Sequence, residues 1–346
     1  MIPLRVVRLD LPLDADTFDG AMAAAPEVQL SVQRARGEDA ATAQALAAAH
    51  VYHVASARDD LPQAWFVDAS LLQRCPALLA VSAYGAGFDT VDVAACTAAG
   101  VAVLNQAGSN AAAVAEHTLG LMLGLSKRIA ESDRRLRRGE CFTRSDAMGR
   151  DLAGATLGIV GIGHAGRRVA ALASAFGMTV LACDPFLDAA EIARRGAEAM
   201  SLPQLLQRAD VVSLHCPLDA TTTGLFGAAA FAAMKPGALF ITTARGGIHD
   251  EAALHAALVS GHLGGAGLDV WGLEPPAADH PLLALDTVLA SAHTAGVTRG
   301  SRAAMASMAA AQIIGLARGE VPPRLVNPEV WPQTAARLAR ALRVST

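Results

Sequence analysis

Little in the chain points outside a reducing, aqueous compartment. The five cysteines (Cys75, Cys96, Cys141, Cys183, Cys216) are odd in number and contain no CxxC pair, which argues against a disulfide framework. No apolar core follows Arg5, Arg8 and Asp10, so the N-terminus does not read as a secretory signal. No run is long and apolar enough to cross a bilayer. The longest Ala-rich stretch, Ala303 to Ala317, is interrupted by Ser307, Gln312 and Gly315 and reads as a buried helix. Charge is sparse as well, 17% of residues with a net value of −4, so nothing global favours nucleic acid or an anionic membrane as partner. No solenoid repeat or low-complexity linker is present, and the expected location is cytoplasmic. What remains is 346 residues, 53% of them hydrophobic, enough for two domains with real cores.

The most informative segment is Gly161-Ile162-Gly163-His164-Ala165-Gly166. An apolar strand, Ala155 to Val160, precedes it, and Arg167 to Phe176 has helical period. A second strand, Met178 to Cys183, ends on Asp184. Strand, Gly-rich turn, helix, strand and acid make up the dinucleotide-binding pattern. The first glycine permits the tight turn, the second admits the pyrophosphate, and the third lets the helix pack on the strand. The helix N-terminus favours phosphate, and Asp184 would bind the adenosine ribose. Pro185, Phe186, Leu187 and Asp188 follow, with no Arg or Lys to receive a 2′-phosphate, so NAD(H) is expected over NADP(H).

Alternation continues downstream. Strands are expected at 211–214, 238–243, 266–270 and 288–291, with helices at 202–209, 226–234 and 250–260. Strands separated by crossover helices imply a parallel, doubly wound sheet with ligands beyond its carboxyl ends. The first third alternates separately, with strands at 28–32, 51–54, 78–82 and 101–104 but no fingerprint. A helix over 114–138 would join the two units. The chain after about Met308 is expected to return to the first. The expected domains are therefore 1–109 plus 310–346, and 110–309, the latter NAD-binding.

Polar residues at strand ends carry the candidate chemistry. Arg245, in Thr243-Ala244-Arg245-Gly246-Gly247, suits bidentate capture of a carboxylate. Glu274 precedes two prolines in a stiff loop, and His293 follows a strand. Singly, each is most simply a surface or structural residue. Beside an NAD site, the three form a working set. Hydride transfer from an alcohol carbon needs a base for the hydroxyl proton, and a carboxylate raises the pKa of a histidine.

These motifs resemble the D-isomer-specific 2-hydroxyacid dehydrogenases, over nearly the whole chain and in particular from about Leu78 to Gly319. They are Gly85-Ala86-Gly87-Phe88-Asp89, Val114-Ala115-Glu116-His117, the Gly161 fingerprint, His215-Cys216-Pro217-Leu218, Ala244-Arg245-Gly246-Gly247, Gly272-Leu273-Glu274-Pro275 and His293-Thr294-Ala295-Gly296. The resemblance implies two Rossmann-like or flavodoxin-like α/β domains with an inter-domain cleft, 1–109 plus 310–346 being the substrate-binding one. It implies reversible reduction of a 2-keto acid to a D-2-hydroxy acid, with Arg245 on substrate, Glu274 paired to the histidine and His293 as acid/base. Backbone at Gly85, Ala86 and Gly87 would hold the substrate carboxylate, and Tyr84 beside them is expected to bind substrate. Val114, His164, Ala165, His215, Cys216, Pro217, Thr222, Thr243, Ala244, Arg245, His293 and Gly296 would line the cofactor, and Asp269 would contact the nicotinamide carboxamide. A homodimer through the NAD-binding domains is implied too. Thr242 stands where the family commonly has Asn, and Cys141 where many members carry Trp. Formate dehydrogenases replace the histidine's carboxylate partner by an amide, so Glu274 argues against formate.

Other features read as bland. Arg134 to Arg138 is expected to be a solvated helix end, and His50 and His53 have no further ligands beside them for a metal. Cys216 has no base implied beyond His215, which would point to the opposite face. Arg58, in the loop after the strand at 51–54, is a candidate for a second anionic group on the substrate. Which 2-keto acid is used stays open between glyoxylate, hydroxypyruvate, phosphohydroxypyruvate and others. A non-catalytic NAD(H)-sensing protein of co-repressor type is the competing class.

Overall fold

The computed structural model describes residues 2–11, 14–35 and 39–342. The chain divides into two units, Met1–Asn110 with Arg299–Thr346, and Ala111–Thr298. The return to the first unit thus comes at Arg299 and not at 310. Arg299–Ala317 is one uninterrupted helix, which a boundary at 310 would cut. The expected domain ends at residue 1 and at 343–346 lie outside the described residues.

In the first unit β1 (Leu4–Leu9), β2 (Val28–Gln33), β3 (Val51–Ala55), β4 (Ala80–Tyr84) and β5 (Ala102–Leu104) form a parallel sheet ordered β2-β1-β3-β4-β5. This is the flavodoxin-like order. The sequence reading has no strand at Leu4–Leu9, because Arg5 and Arg8 interrupt its apolar pattern. The fold explains both. Alternate residues face opposite cores: Leu4 and Val6 pack with Phe18, Met22 and Ile313, while Val7 and Leu9 pack with Leu46, Trp65 and Leu71. Arg8 faces the first of these cores, where its guanidinium meets the Asp19 carboxylate, Nε to Oδ1 at 2.8 Å. Arg5 donates from Nε to the Ala48 carbonyl at 2.6 Å.

In the second unit β6 (Thr156–Val160), β7 (Thr179–Cys183), β8 (Glu198–Ala199), β9 (Val211–Leu214), β10 (Leu239–Thr242), β11 (Gly265–Leu268) and β12 (Val288–Ala290) form a parallel sheet ordered β12-β11-β10-β9-β6-β7-β8. The expected α/β architecture with two parallel sheets is the one that forms. The helix expected over 114–138 is two helices, Ala111–Ser126 and Ile129–Arg137. Arg128 breaks it by adopting a left-handed φ of 52°, held by the Glu131 carboxylate and the Asp146 carbonyl. Chain order reverses between β6 and its neighbours β7 and β9, so the carboxyl ends of these strands gather Gly161, Asp184 and His215 at one switch point.

Candidate active site

The turn after β6 shows why it needs glycine. Gly161 has φ of +88°, and a Cβ there would lie 2.7 Å from the Cys216 backbone nitrogen. A Cβ on Gly166 would lie 2.3 Å from the Gly161 carbonyl oxygen. Gly163 instead faces open space and caps the helix His164–Ala175. Arg167 N–H is bonded back to the Gly163 carbonyl, and the earlier N–H groups have no helix carbonyl to bond. Room above Gly163 and that helix end fit a dinucleotide pyrophosphate. Asp184 accepts from Ile162 N–H and Phe186 N–H, each at 3.1 Å, which fixes its carboxylate at the end of β7. Arg195 donates to the Ile162 carbonyl at 2.9 Å and to Glu191 at 2.7 Å. The sequence reading passes over Arg195, because it lies eleven residues beyond Asp184 and returns only through the fold.

Beyond β9, His215 bonds through Nε2 to Ser213 Oγ at 2.9 Å, and burial pushes its pKa down to about 4. Burial also pushes the Cys216 thiol up to about 11, which leaves it protonated. Thr222 donates from Oγ1 to the Pro217 carbonyl at 2.7 Å and closes this loop on itself. At the end of β10 Thr243 Oγ1 lies 3.2 Å from Thr118 Oγ1, which donates to the Val114 carbonyl at 2.8 Å.

The structure brings Glu274 and His293 together. Glu274 Oε2 lies 2.7 Å from His293 Nδ1, and Oε1 accepts the Trp271 N–H at 3.0 Å. Burial alone would raise the Glu274 pKa, but the bonds from His293 and Trp271 and the charges of His293 and Arg245 hold it below the usual value. The His293 pKa is raised, chiefly by its bond to Glu274 and against the effect of burial. An ionised Glu274 accepts, so Nδ1 carries hydrogen and Nε2 is left for proton exchange.

Asp269 is turned inward. Its side chain is 1% exposed and accepts from Ser291 Oγ (2.6 Å), Thr294 N–H (2.8 Å) and Ala295 N–H (2.9 Å). Its carbonyl accepts the His293 N–H at 2.7 Å. These four bonds organise the loop in which His293 holds a left-handed φ of 52°. His117 Nε2 and Trp271 Nε1 join the same loop through Ser291, at 2.9 Å each. Ser291, Trp271 and His117 carry no local signal for this role, since no pattern joins positions 117 and 291.

Arg245 is half-buried and donates from Nη1 to the Ala244 carbonyl at 2.6 Å. Its successor Gly246 packs so tightly that a Cβ would fall 1.8 Å from the Trp271 carbonyl oxygen. The Arg245 turn and the Glu274 loop are thereby locked together. Gly246→Ala is expected to fold with a loss of about 2 kcal/mol, read by denaturant unfolding, because one backbone must move.

In the first unit, Gly85 has φ of +124° and a Cβ there would lie 3.0 Å from Ser56 Oγ. Tyr84 is buried, its hydroxyl bonded to the Arg302 carbonyl at 3.2 Å and to the Asp14 N–H at 3.3 Å, so its side chain is spent inside the unit. Arg58 is exposed, donates from Nε to the Asp89 carbonyl at 3.1 Å, and lies over the Phe66 ring at 5.9 Å. His50 and His53 are buried, and burial pushes both to about 4. The arginines at 134–138 are held by Asp133, Glu140 and Asp286.

Comparison with known proteins identifies the family. The profile described as "D-isomer specific 2-hydroxyacid dehydrogenase, NAD binding domain" matches residues 119–295. The (S)-sulfolactate dehydrogenase of Chromohalobacter salexigens is 46% identical over 236 residues, 68% of this chain and 76% of that one. The D-3-phosphoglycerate dehydrogenase of Mycobacterium leprae is 42% identical over 261 residues, 75% of this chain and 49% of that one. The chain thus spans about half the length of the phosphoglycerate dehydrogenases it matches. Among solved structures, the D-lactate dehydrogenase of Aquifex aeolicus complexed with NAD and lactic acid superposes with a TM-score of 0.80 at 27% identity, covering 93% of this chain and 98% of that one. With the fingerprint, the ion-paired histidine and these matches in hand, the chain belongs to the D-isomer-specific 2-hydroxyacid dehydrogenase family.

Proposed function

We propose that the chain is an NAD-dependent dehydrogenase that interconverts a 2-keto acid and a D-2-hydroxy acid. The observation that carries this reading is the 2.7 Å His293–Glu274 pair in the same unit as the dinucleotide turn. NADH, when bound, supplies the hydride for C2 of the keto acid. His293 Nε2 gives a proton to the developing alkoxide and takes it back in oxidation. Arg245 grips the substrate carboxylate and polarises the carbonyl, and backbone N–H groups at Gly85 to Gly87 hold the carboxylate. The fixed carboxylate of Asp184 binds the ribose hydroxyls and repels a 2′-phosphate, which favours NADH over NADPH. Arg195 is engaged by Glu191 and the Ile162 carbonyl and does not offset that repulsion.

The helix Ile129–Arg137 buries none of its residues and exposes Ile129 and Leu136. That face suits a second copy, so the working form is a homodimer through this unit. All five cysteines are free, as a reducing cytoplasm would keep them, and among the described residues no helix is long and apolar enough to cross a membrane.

The test is NADH consumption, with NADPH in parallel, against glyoxylate, hydroxypyruvate, pyruvate and phosphohydroxypyruvate. Turnover of at least one with NADH is expected, and NADPH should serve poorly. Silence across the panel with NADH bound would end the proposal. Arg58 would meet a second anionic group, so Arg58→Ala should lower the dianion-to-monoanion ratio of kcat/KM about tenfold.

A further inference from the structure

Three consecutive carbonyls of the Gly85 turn are tied down, the first toward the end of β3 and the next two toward the end of β5. Ser56 Oγ donates to the Tyr84 carbonyl at 2.5 Å. Gln106 N–H donates to the Gly85 carbonyl at 2.7 Å. Asn105 Nδ2 donates to the Ala86 carbonyl at 2.8 Å. The only cis peptide among the described residues is Glu274–Pro275, so the turn's peptides are trans. In a trans peptide the N–H points opposite to the C=O it follows. Pinning the Gly85 and Ala86 carbonyls toward the end of β5 therefore turns the Ala86 and Gly87 N–H groups the other way. Adjacent N–H groups so presented form a concavity for an anion.

The clamp is itself anchored in the core. The Gln106 side chain is fully buried and donates to the Ala83 carbonyl at 3.2 Å. Gln312, from the helix Arg299–Ala317, donates to Gln106 Oε1 at 2.8 Å and to the Asn105 carbonyl at 3.0 Å, and accepts the Arg324 N–H at 3.2 Å. Asn105 Oδ1 accepts the Ala107 N–H at 3.3 Å, which leaves Nδ2 aimed at Ala86. Such a buried, satisfied network fixes geometry.

We propose that Asn105 is a positioning residue for substrate. By holding the Ala86 carbonyl, it aims the backbone donors that bind the keto-acid carboxylate. The inference rests on the reading of the Gly85 to Gly87 turn given above. Asn105→Ala should raise KM for the best 2-keto acid about tenfold, with kcat changed less than about threefold and NADH affinity unaltered. Asn105→Asp keeps size and the acceptor for Ala107 but loses the donor and brings a negative charge to the turn. Its KM defect should exceed that of Asn105→Ala at pH 8 and shrink only as pH falls toward about 4, the ordinary aspartate range, where the new carboxyl gains a proton and can donate again. A purely structural role predicts no such recovery. Normal turnover by the parent chain with an unshifted KM in both variants overturns the clamp alone. A parent chain that binds NADH and reduces no 2-keto acid overturns the reading beneath it.

Discussion

His293→Asn is expected to lower kcat for keto-acid reduction about a thousandfold while leaving a folded, cofactor-binding protein. The size follows from the role: a positioned acid contributes 10²–10⁴ in rate, about, when the proton it transfers must reach an alkoxide as it forms. Asparagine is the informative replacement because His293 sits at φ of 52°. Asn tolerates the left-handed region better than most residues, so the 291–295 loop should persist. Its amide can still bond Glu274 but cannot titrate. The dinucleotide turn at 161–166 shares no bond with His293, so the NADH dissociation constant should change less than about twofold. Single-turnover kinetics and NADH titration measure the two quantities separately. A kcat within about tenfold of the parent would remove His293 from the chemistry.

The ease with which this residue can be found in the sequence is uneven across the chain. The fingerprint at 161–166 and Asp184 are legible because every part of the motif is local. Strand, turn, helix and acid follow within 30 residues, each with its own residue requirement. Arg245, Glu274 and His293 are legible as polar residues at the ends of apolar runs, but their association is not. The bond between Glu274 and His293 spans 19 residues and depends on β11 and β12 lying side by side. The strand Leu4–Leu9 is hidden because Arg8 looks like a surface residue until Asp19 is placed against it. The break at Arg128 is hidden because nothing in Ser126-Lys127-Arg128 differs from a helix interior. Asp269 is legible in one respect and hidden in another. Its place in the family motif implies a cofactor contact, and the three donors from one loop that hold its carboxylate are visible only in the fold. Asn105 and Gln312 lie 207 positions apart, and only folding of the C-terminal return on the first unit joins them.

Glu274→Gln should leave the fold intact and move the pH profile in a direction fixed by the pair. Reduction requires protonated His293, so kcat/KM for the keto acid is constant below the His293 pKa and falls as pH rises through it. In the parent chain that pKa is raised above 6.5, chiefly by the bond to Glu274. Glutamine keeps an acceptor for the Trp271 N–H but carries no charge. What then remains acting on His293 is burial and Arg245, both of which lower its pKa, with Asp269 opposing them. The falling limb should therefore move to lower pH. For hydroxy-acid oxidation, which requires neutral His293, the rising limb should move the same way. At pH 8 the reduction rate should fall about a hundredfold, from the lost proton and a less firmly oriented ring together. Measuring kcat/KM from pH 5 to 9 at saturating NADH separates the two contributions, since only the first changes with pH. A hundredfold loss with an unmoved limb would mean that Glu274 orients the histidine without setting its charge. An unmoved limb with normal rate would mean that the 2.7 Å bond has no part in the reaction.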